Sequence, residues 1–288
     1  MYSTLIDVSQ LGALLGRPEV VILDCRFELA ASEAGAALYA EGHIPGAQYA
    51  HLERDLSGPP GPATGRHPLP APDRLAITFG RWGINSNVQV IAYDAGPGAY
   101  AARAWWMLRW LGHEAVAVLN GGYAAWLAAG GAVETHVRRR DPRLYTPHVQ
   151  VDRTVTTDEL VKLLSGGGLR LVDARGADRF AGQNETLDPV AGHVPGAQSR
   201  PFTTNLGPDG RFLPAQALLE QWEALLAGQP ATEVVSMCGS GVTACHNLLA
   251  LEHAGLPGAR LYAGSWSEWV RDPARPVETG VPDATRPG

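Results

Sequence analysis

The chain repeats itself. Residues 20–26 read VVILDCR and 169–175 read LRLVDAR, while 42–48 read GHIPGAQ and 192–198 read GHVPGAQ. Further on, 90–94 read VIAYD against VVSMC at 234–238, and 119–126 read LNGGYAAW against YAGSWSEW at 262–269. The offsets are 149, 150, 144 and 143 residues. A spacing this constant over four separate blocks means two tandem copies of one domain, with a loop about six residues longer in the first copy. At 288 residues the chain has the length of about two ordinary domains. The division expected from the repeat is a first domain over 1–135, a linker over 136–153 and a second domain over 154–288.

Each copy follows one grammar. A helix start comes first, at Ser9 ahead of LGALL and at a Thr156/Glu159 capping box ahead of LVKLL. A continuous apolar run ending in Asp24 or Asp173 follows, as in strands buried on both faces. A Gly-His-x-Pro-Gly-Ala turn, a helix and a second buried strand come next, and then a Gly-rich turn into another helix. Strands alternating with helices predict an α/β fold, each domain a mostly parallel sheet flanked by helices. The Pro- and Gly-rich stretch 56–72 is too long for an idle connection and is expected to be functional, lying over a site on the other copy.

Composition removes several classes of function. Hydrophobic residues make up 45% and charged residues 18%, enough to build two cores rather than a disordered chain. The net charge of −6 leaves no broad basic surface for nucleic acid. The one dense basic run, Arg138-Arg139-Arg140 with Arg143 behind it, reads as solvated linker. No apolar stretch approaches the roughly 18 residues of a membrane span. The opening MYSTLIDVSQ lacks the basic start and apolar run of a secretory leader. Three cysteines make no disulfide framework, and a cytoplasmic location is expected. No Cys/His spacing suggests a zinc site, and no metal or organic cofactor is expected.

The chemistry concentrates where the second copy's strand VVSM runs into Cys238 and then Gly239-Ser240-Gly241-Val242-Thr243-Ala244. In open α/β sheets, ligands gather at the carboxyl ends of strands. A Gly-rich turn there presents consecutive backbone N–H groups, and the following helix adds its positive end. A thiolate, the reactive form of cysteine, is stabilised in such a cradle. The alternative is a small buried hydrophobe at a strand end. The matching position in the first copy is Asp94, which cannot act as a thiol nucleophile, so one active site per chain is expected. A cysteine phosphatase would need an arginine six residues after the cysteine. Position 244 is Ala, and no arginine lies between Cys238 and Arg260.

The tandem GHxPGA turns, the CGSGVTA loop and the YAGSWSEW segment resemble the rhodanese (sulfurtransferase) superfamily over roughly 3–275, and the loop resembles its 3-mercaptopyruvate sulfurtransferase branch. The resemblance implies two tandem rhodanese-like domains, the first catalytically inactive. It implies that Cys238 accepts sulfur as a persulfide, that Ser240 handles protons, and that His67 of the HPLP segment assists, with Glu53 standing for the family's aspartate partner of that histidine. It assigns the donor to Arg179 and to the loop residues Gly239, Gly241, Val242 and Thr243. The chain departs from the branch at position 188, an Asp where a second substrate arginine is often found. The implied reaction moves sulfur from 3-mercaptopyruvate to a thiol, cyanide or thioredoxin-like acceptor. Thiosulfate as donor and a non-catalytic persulfide carrier are the alternatives.

Structural readings stand beside these. Ser240 and Thr243 could bond the turn or cap the next helix, His67 could be solvated, and Arg179 could pair with Asp173 or Glu185. Arg26/Asp24 and Arg175/Asp173 recur in both copies, which argues for structural ion pairs, and His43 and His193 recur as turn residues. Trp266 and Trp269 read as core. Cys25 and Cys245 read as packed and inert.

Overall fold

The computed structural model describes residues 1–280. The last eight residues of the expected second domain, 281–288, lie outside the described residues. The elements in the first half are β1 (Leu5–Ile6), α1 (Val8–Gly12), β2 (Val20–Asp24), α2 (Ala34–Glu41), β3 (Gln48–Tyr49), α3 (Pro72–Arg81), β4 (Gln89–Tyr93), α4 (Ala99–Trp110), β5 (Val116–Leu119) and α5 (Gly122–Ala128). Those in the second half are α6 (Thr157–Gly166), β6 (Arg170–Asp173), α7 (Ala177–Phe180), β7 (Gln198–Ser199), α8 (Ala215–Leu226), β8 (Val234–Met237), α9 (Ala244–His253), β9 (Arg260–Leu261) and α10 (Ser265–Trp269).

Two compact units result. The first contains Met1–Gly58, Leu69–Val151 and Leu206–Phe212; the second contains Pro59–Pro68, Asp152–Asn205 and Leu213–Gly280. The first unit's sheet has the order β1-β5-β4-β2-β3 and the second's β7-β6-β8-β9, with every pair parallel. Both are α/β folds of one pattern. In each, the apolar run ending in aspartate pairs with the later buried strand, β2 with β4 and β6 with β8. The continuous apolar runs follow from this placement, since β2, β4 and β8 are covered on both faces. Among the described residues no helix is long and apolar enough to cross a membrane.

The repeated polar residues have repeated structural tasks. Arg26 holds the Asp24 carboxylate at 2.6 Å and donates to the Gly42 carbonyl, as Arg175 holds Asp173 at 2.7 Å and donates to that of Gly192. Each guanidinium also lies over a ring of the last block, Arg26 over Tyr123 and Arg175 over Trp266. His43 stacks on Tyr39 and His193 on Phe180, and each Nδ1 bonds that aromatic residue's carbonyl. Trp266 and Trp269 lie in the second unit's core with Phe180, Val235 and Met237.

Three local expectations change. Helix α1 is capped by Asp7, whose N–H donates to Gln10 Oε1 at 2.9 Å, so Ser9 lies inside the helix rather than at its start. A short edge strand, β3 or β7, follows each GHxPGA turn directly. Residues 136–153 are not a free solvated linker, because several of them are tied to the first unit by backbone and side-chain hydrogen bonds. Arg140 donates to the Val20 and Pro18 carbonyls, Arg143 N–H to Gly80, and His148 and Gln150 N–H to Leu111 and Trp110. Tyr145 is buried against Phe79. Only Arg138 and Arg139 of the basic run stay exposed.

Candidate active site

Strand β8 ends at Met237, and Cys238 follows at the carboxyl edge of the second unit's sheet. The residue is 2% exposed. Its N–H donates to Ser265 Oγ at 3.1 Å and its carbonyl accepts from Trp266 N–H at 3.0 Å, which fixes the start of the turn against α10. Gly239 continues this pattern, its carbonyl accepting from Ser267 N–H at 2.9 Å. Gly241 has φ +74, and a Cβ there would stand 2.5 Å from the Ala263 carbonyl oxygen, so both conformation and space demand glycine. Val242 is buried, and Thr243 is the N-cap residue of α9 without a capping side-chain bond.

The loop's hydroxyl has a partner. Ser240 Oγ lies 2.8 Å from His67 Nδ1, and both residues are buried, at 6% and 4% exposure. Either the hydroxyl donates to the ring nitrogen or an Nδ1–H donates to the hydroxyl oxygen, and the pair can pass a proton. His67 arrives on the Pro59–Pro68 segment, which belongs to the second unit although it comes from the first copy of the repeat. That segment is tied down at Arg66, whose N–H donates to Ser267 Oγ at 3.0 Å, and at Thr64, whose carbonyl accepts from Arg271 Nε at 3.3 Å. Glu53 is exposed and belongs to the first unit, where its N–H donates to His51 Nδ1.

Two guanidinium groups flank Gly239. A Cβ on this residue would lie 2.9 Å from Arg66 Nη2 and 3.6 Å from both Nη atoms of Arg179. Arg179 comes from α7 and makes the ion pair considered above, with its Nη2 2.9 Å from each Glu185 oxygen, and it also reaches Asp188 Oδ2 at 3.4 Å. Asp188 Oδ1 takes a short charged hydrogen bond from Arg66 Nη1. Burial raises the Asp188 carboxyl above its ordinary value against the pull of Arg66 and Arg179. Burial also works to raise Glu185, but the Leu187 N–H and Arg179 outweigh it and hold that carboxyl below the usual range. Arg66, Glu185 and Asp188 were not foreseen as neighbours of the loop. The available signal was the arginine immediately before His67 and the acid at 188.

The corresponding turn of the first unit is closed by its own side chain. Asp94 is 1% exposed and accepts four backbone N–H bonds, from Gly96 and Gly98 at Oδ1 and from Tyr100 and Ala101 at Oδ2. Burial raises its pKa, and the four N–H groups partly offset this. The other two thiols are packed away. Cys245 Sγ bonds the Gly241 carbonyl at 3.4 Å. Cys25 is held well above the ordinary thiol value by burial and by Asp24, Asp94 and Asp55.

Comparison with known proteins adds an independent line. The family pattern described as a rhodanese-like domain matches residues 7–129 and 156–272. A probable 3-mercaptopyruvate sulfurtransferase of Pseudomonas aeruginosa is 52% identical over 278 residues, 96% of this chain and 98% of that protein. A putative thiosulfate sulfurtransferase, SseB of Mycobacterium tuberculosis, is 40% identical over 285 residues, covering 96% of this chain and 97% of that one. Among solved structures, the 3-mercaptopyruvate sulfurtransferase SseA of Escherichia coli superposes with a TM-score of 0.78 at 32% identity, over 93% of this chain and all of that one.

Proposed function

The chain belongs to the rhodanese-like family, and on that premise we propose that it is a sulfurtransferase taking sulfur from 3-mercaptopyruvate through a persulfide on Cys238. The observation that carries this reading is the Ser240–His67 hydrogen bond, 2.8 Å long and two residues from the cysteine. The Cys238 thiolate attacks the donor sulfur. An S–S bond forms and the donor's C–S bond breaks, its electron pair passing to the pyruvate enolate. That carbon then needs a proton, so the products from donor, thiolate and one proton are pyruvate and the Cys238 persulfide. A buried hydroxyl bonded to an imidazole is suited to deliver the proton. Backbone N–H groups of residues 239–243 and the N-terminus of α9 favour the anionic sulfur. Arg179 offers a guanidinium to the donor carboxylate.

Thiosulfate remains the second reading because two guanidinium groups, not one, stand beside Gly239. Glu185 and Asp188 offset both charges, which favours a monocarboxylate over a dianion. The persulfide then passes to a thiol, cyanide or a thioredoxin-like protein. The first domain, 1–135, with Asp94 in the cysteine's place, carries no reaction. Three unpaired cysteines fit a reducing compartment such as the cytoplasm.

The test is kcat/KM for 3-mercaptopyruvate and thiosulfate on one enzyme preparation, with a ratio of at least about tenfold expected in favour of the former. Cys238→Ser should abolish transfer while Cys25→Ser and Cys245→Ser retain it. A preference for thiosulfate would overturn the donor assignment. A single loading without turnover would mark a carrier, and substantial turnover by Cys238→Ser would remove the mechanism.

A further inference from the structure

Arg66 is placed by the fold as firmly as the loop it faces. Gly65 packs so closely on the Gly264 backbone that a Cβ would stand 2.5 Å from its carbonyl oxygen. Ser267 ties both segments, taking the Arg66 N–H on its Oγ while its own N–H donates to Gly239. The guanidinium then reaches over Gly239, beside that of Arg179. A side chain at 239 would occupy the space that Arg66 uses, so the glycine and the arginine are matched. Arg66 in turn is clasped by Asp188, whose side chain is only 3% exposed and which also faces Arg179. The charges are two guanidinium groups against the two carboxylates Glu185 and Asp188, and the remaining arginine of the cluster, Arg175, is matched by Asp173.

We propose that Arg66 is the second guanidinium of the sulfur-donor site and that Asp188 is the counter-charge that tunes this site to a monoanionic 2-oxo carboxylate rather than a dianion. The proposal rests on the sulfurtransferase reading and extends it. Arg179 takes the donor carboxylate. Arg66 faces the 2-oxo group, on whose oxygen negative charge grows as the C–S bond breaks. A fixed donor at such a point acts on the transition state more than on the ground state. Asp188 keeps the arginine in place and leaves too little net positive charge to reward the second charge of thiosulfate.

Steady-state kinetics of Arg66→Ala, Arg66→Lys and Asp188→Asn with both donors provide the test. Arg66→Ala should lower kcat/KM for 3-mercaptopyruvate at least about tenfold, with most of the loss in kcat, and Arg66→Lys should recover part of it. Asp188→Asn should move the thiosulfate to 3-mercaptopyruvate ratio toward thiosulfate by about fivefold or more, a change that a purely structural ion pair would not produce. Calorimetric binding of 3-mercaptopyruvate to Cys238→Ser, with and without Arg66→Ala, reads the arginine without turnover, and weaker binding on its removal is expected. If the unmodified enzyme turns over neither donor while that binding still depends on Arg66, the sulfurtransferase reading fails and the anion site stands. If turnover is normal and Arg66→Ala stays within twofold of it, or Asp188→Asn leaves the donor ratio unchanged, the role given to Arg66 and Asp188 is wrong.

Discussion

At the scale of single residues, the Ser240–His67 bond and the Cys25 thiol give the sharpest expectations. Ser240→Ala removes the hydroxyl but not the cradle, so kcat for 3-mercaptopyruvate should fall by roughly 10²-fold, with KM changed far less. His67→Ala should do the same, and the double variant should be little worse than either, since the two act as one unit. Additive losses would show that they act separately. Cys25 sets a pH dependence. Burial and three nearby carboxylates raise its pKa on folding, so the folded chain keeps the proton after the unfolded chain has lost it. Its contribution is whole below the unfolded value of about 8.5 and is lost as pH climbs toward the raised folded value. Urea midpoints of the unmodified protein should therefore drop relative to Cys25→Ala between about pH 8 and pH 10. Cys238, Ser240 and His67 could be named from the sequence because short motifs mark them. Their meeting could not be read from spacing, as Ser240 and His67 are 173 residues apart. Arg66 escaped because its value lies in what it faces, and nothing local to GRHPLP says that Gly239 is there.

At the scale of elements, hydrophobic patterning sufficed wherever burial decides. The runs at 20–24, 89–93, 170–173 and 234–237 became central parallel strands because a strand covered on both faces admits little but apolar side chains. The two-residue edge strands β3 and β7 bury too little to leave a pattern, and α1 is capped at Asp7 because Gln10 can reach back to its N–H. The strap over 136–151 was invisible because its bonds end on backbone carbonyls, which every residue type supplies. The turn after β8 depends on glycine at one point above all. Gly241→Ala meets a positive φ and the Ala263 carbonyl together, and should cost about 1–3 kcal/mol in urea unfolding. It should also impair persulfide loading, followed by mass spectrometry. Loading and stability near those of the unmodified protein would mean that the turn has another way to close.

At the scale of the whole molecule, two copies of one plan have diverged in what their turns hold. In the first unit a carboxylate fills the ring of N–H groups. In the second, the turn after the cysteine carries Ser240 bonded to His67 and has the Arg66 and Arg179 guanidinium groups beside Gly239. The repeat offsets place Gly96 where the second copy has Ser240 and Ala30 where it has Arg179. Asp94→Cys in a Cys238→Ser background should therefore gain no persulfide when incubated with 3-mercaptopyruvate, as read by alkylation and peptide mass. Loading at residue 94 would show that a thiol at the strand end is sufficient. The allotment of Pro59–Pro68 to the second unit and of Leu206–Phe212 to the first has a further consequence, for inheritance. Each half of the reading frame encodes a piece of the other half's fold. A gene cut at the junction of the copies would transmit the thiol without its imidazole, and a crossover that replaced one half would have to bring a compatible segment for the other. Duplication made the halves separable in principle, and the exchange of these two segments binds them into a single unit of descent.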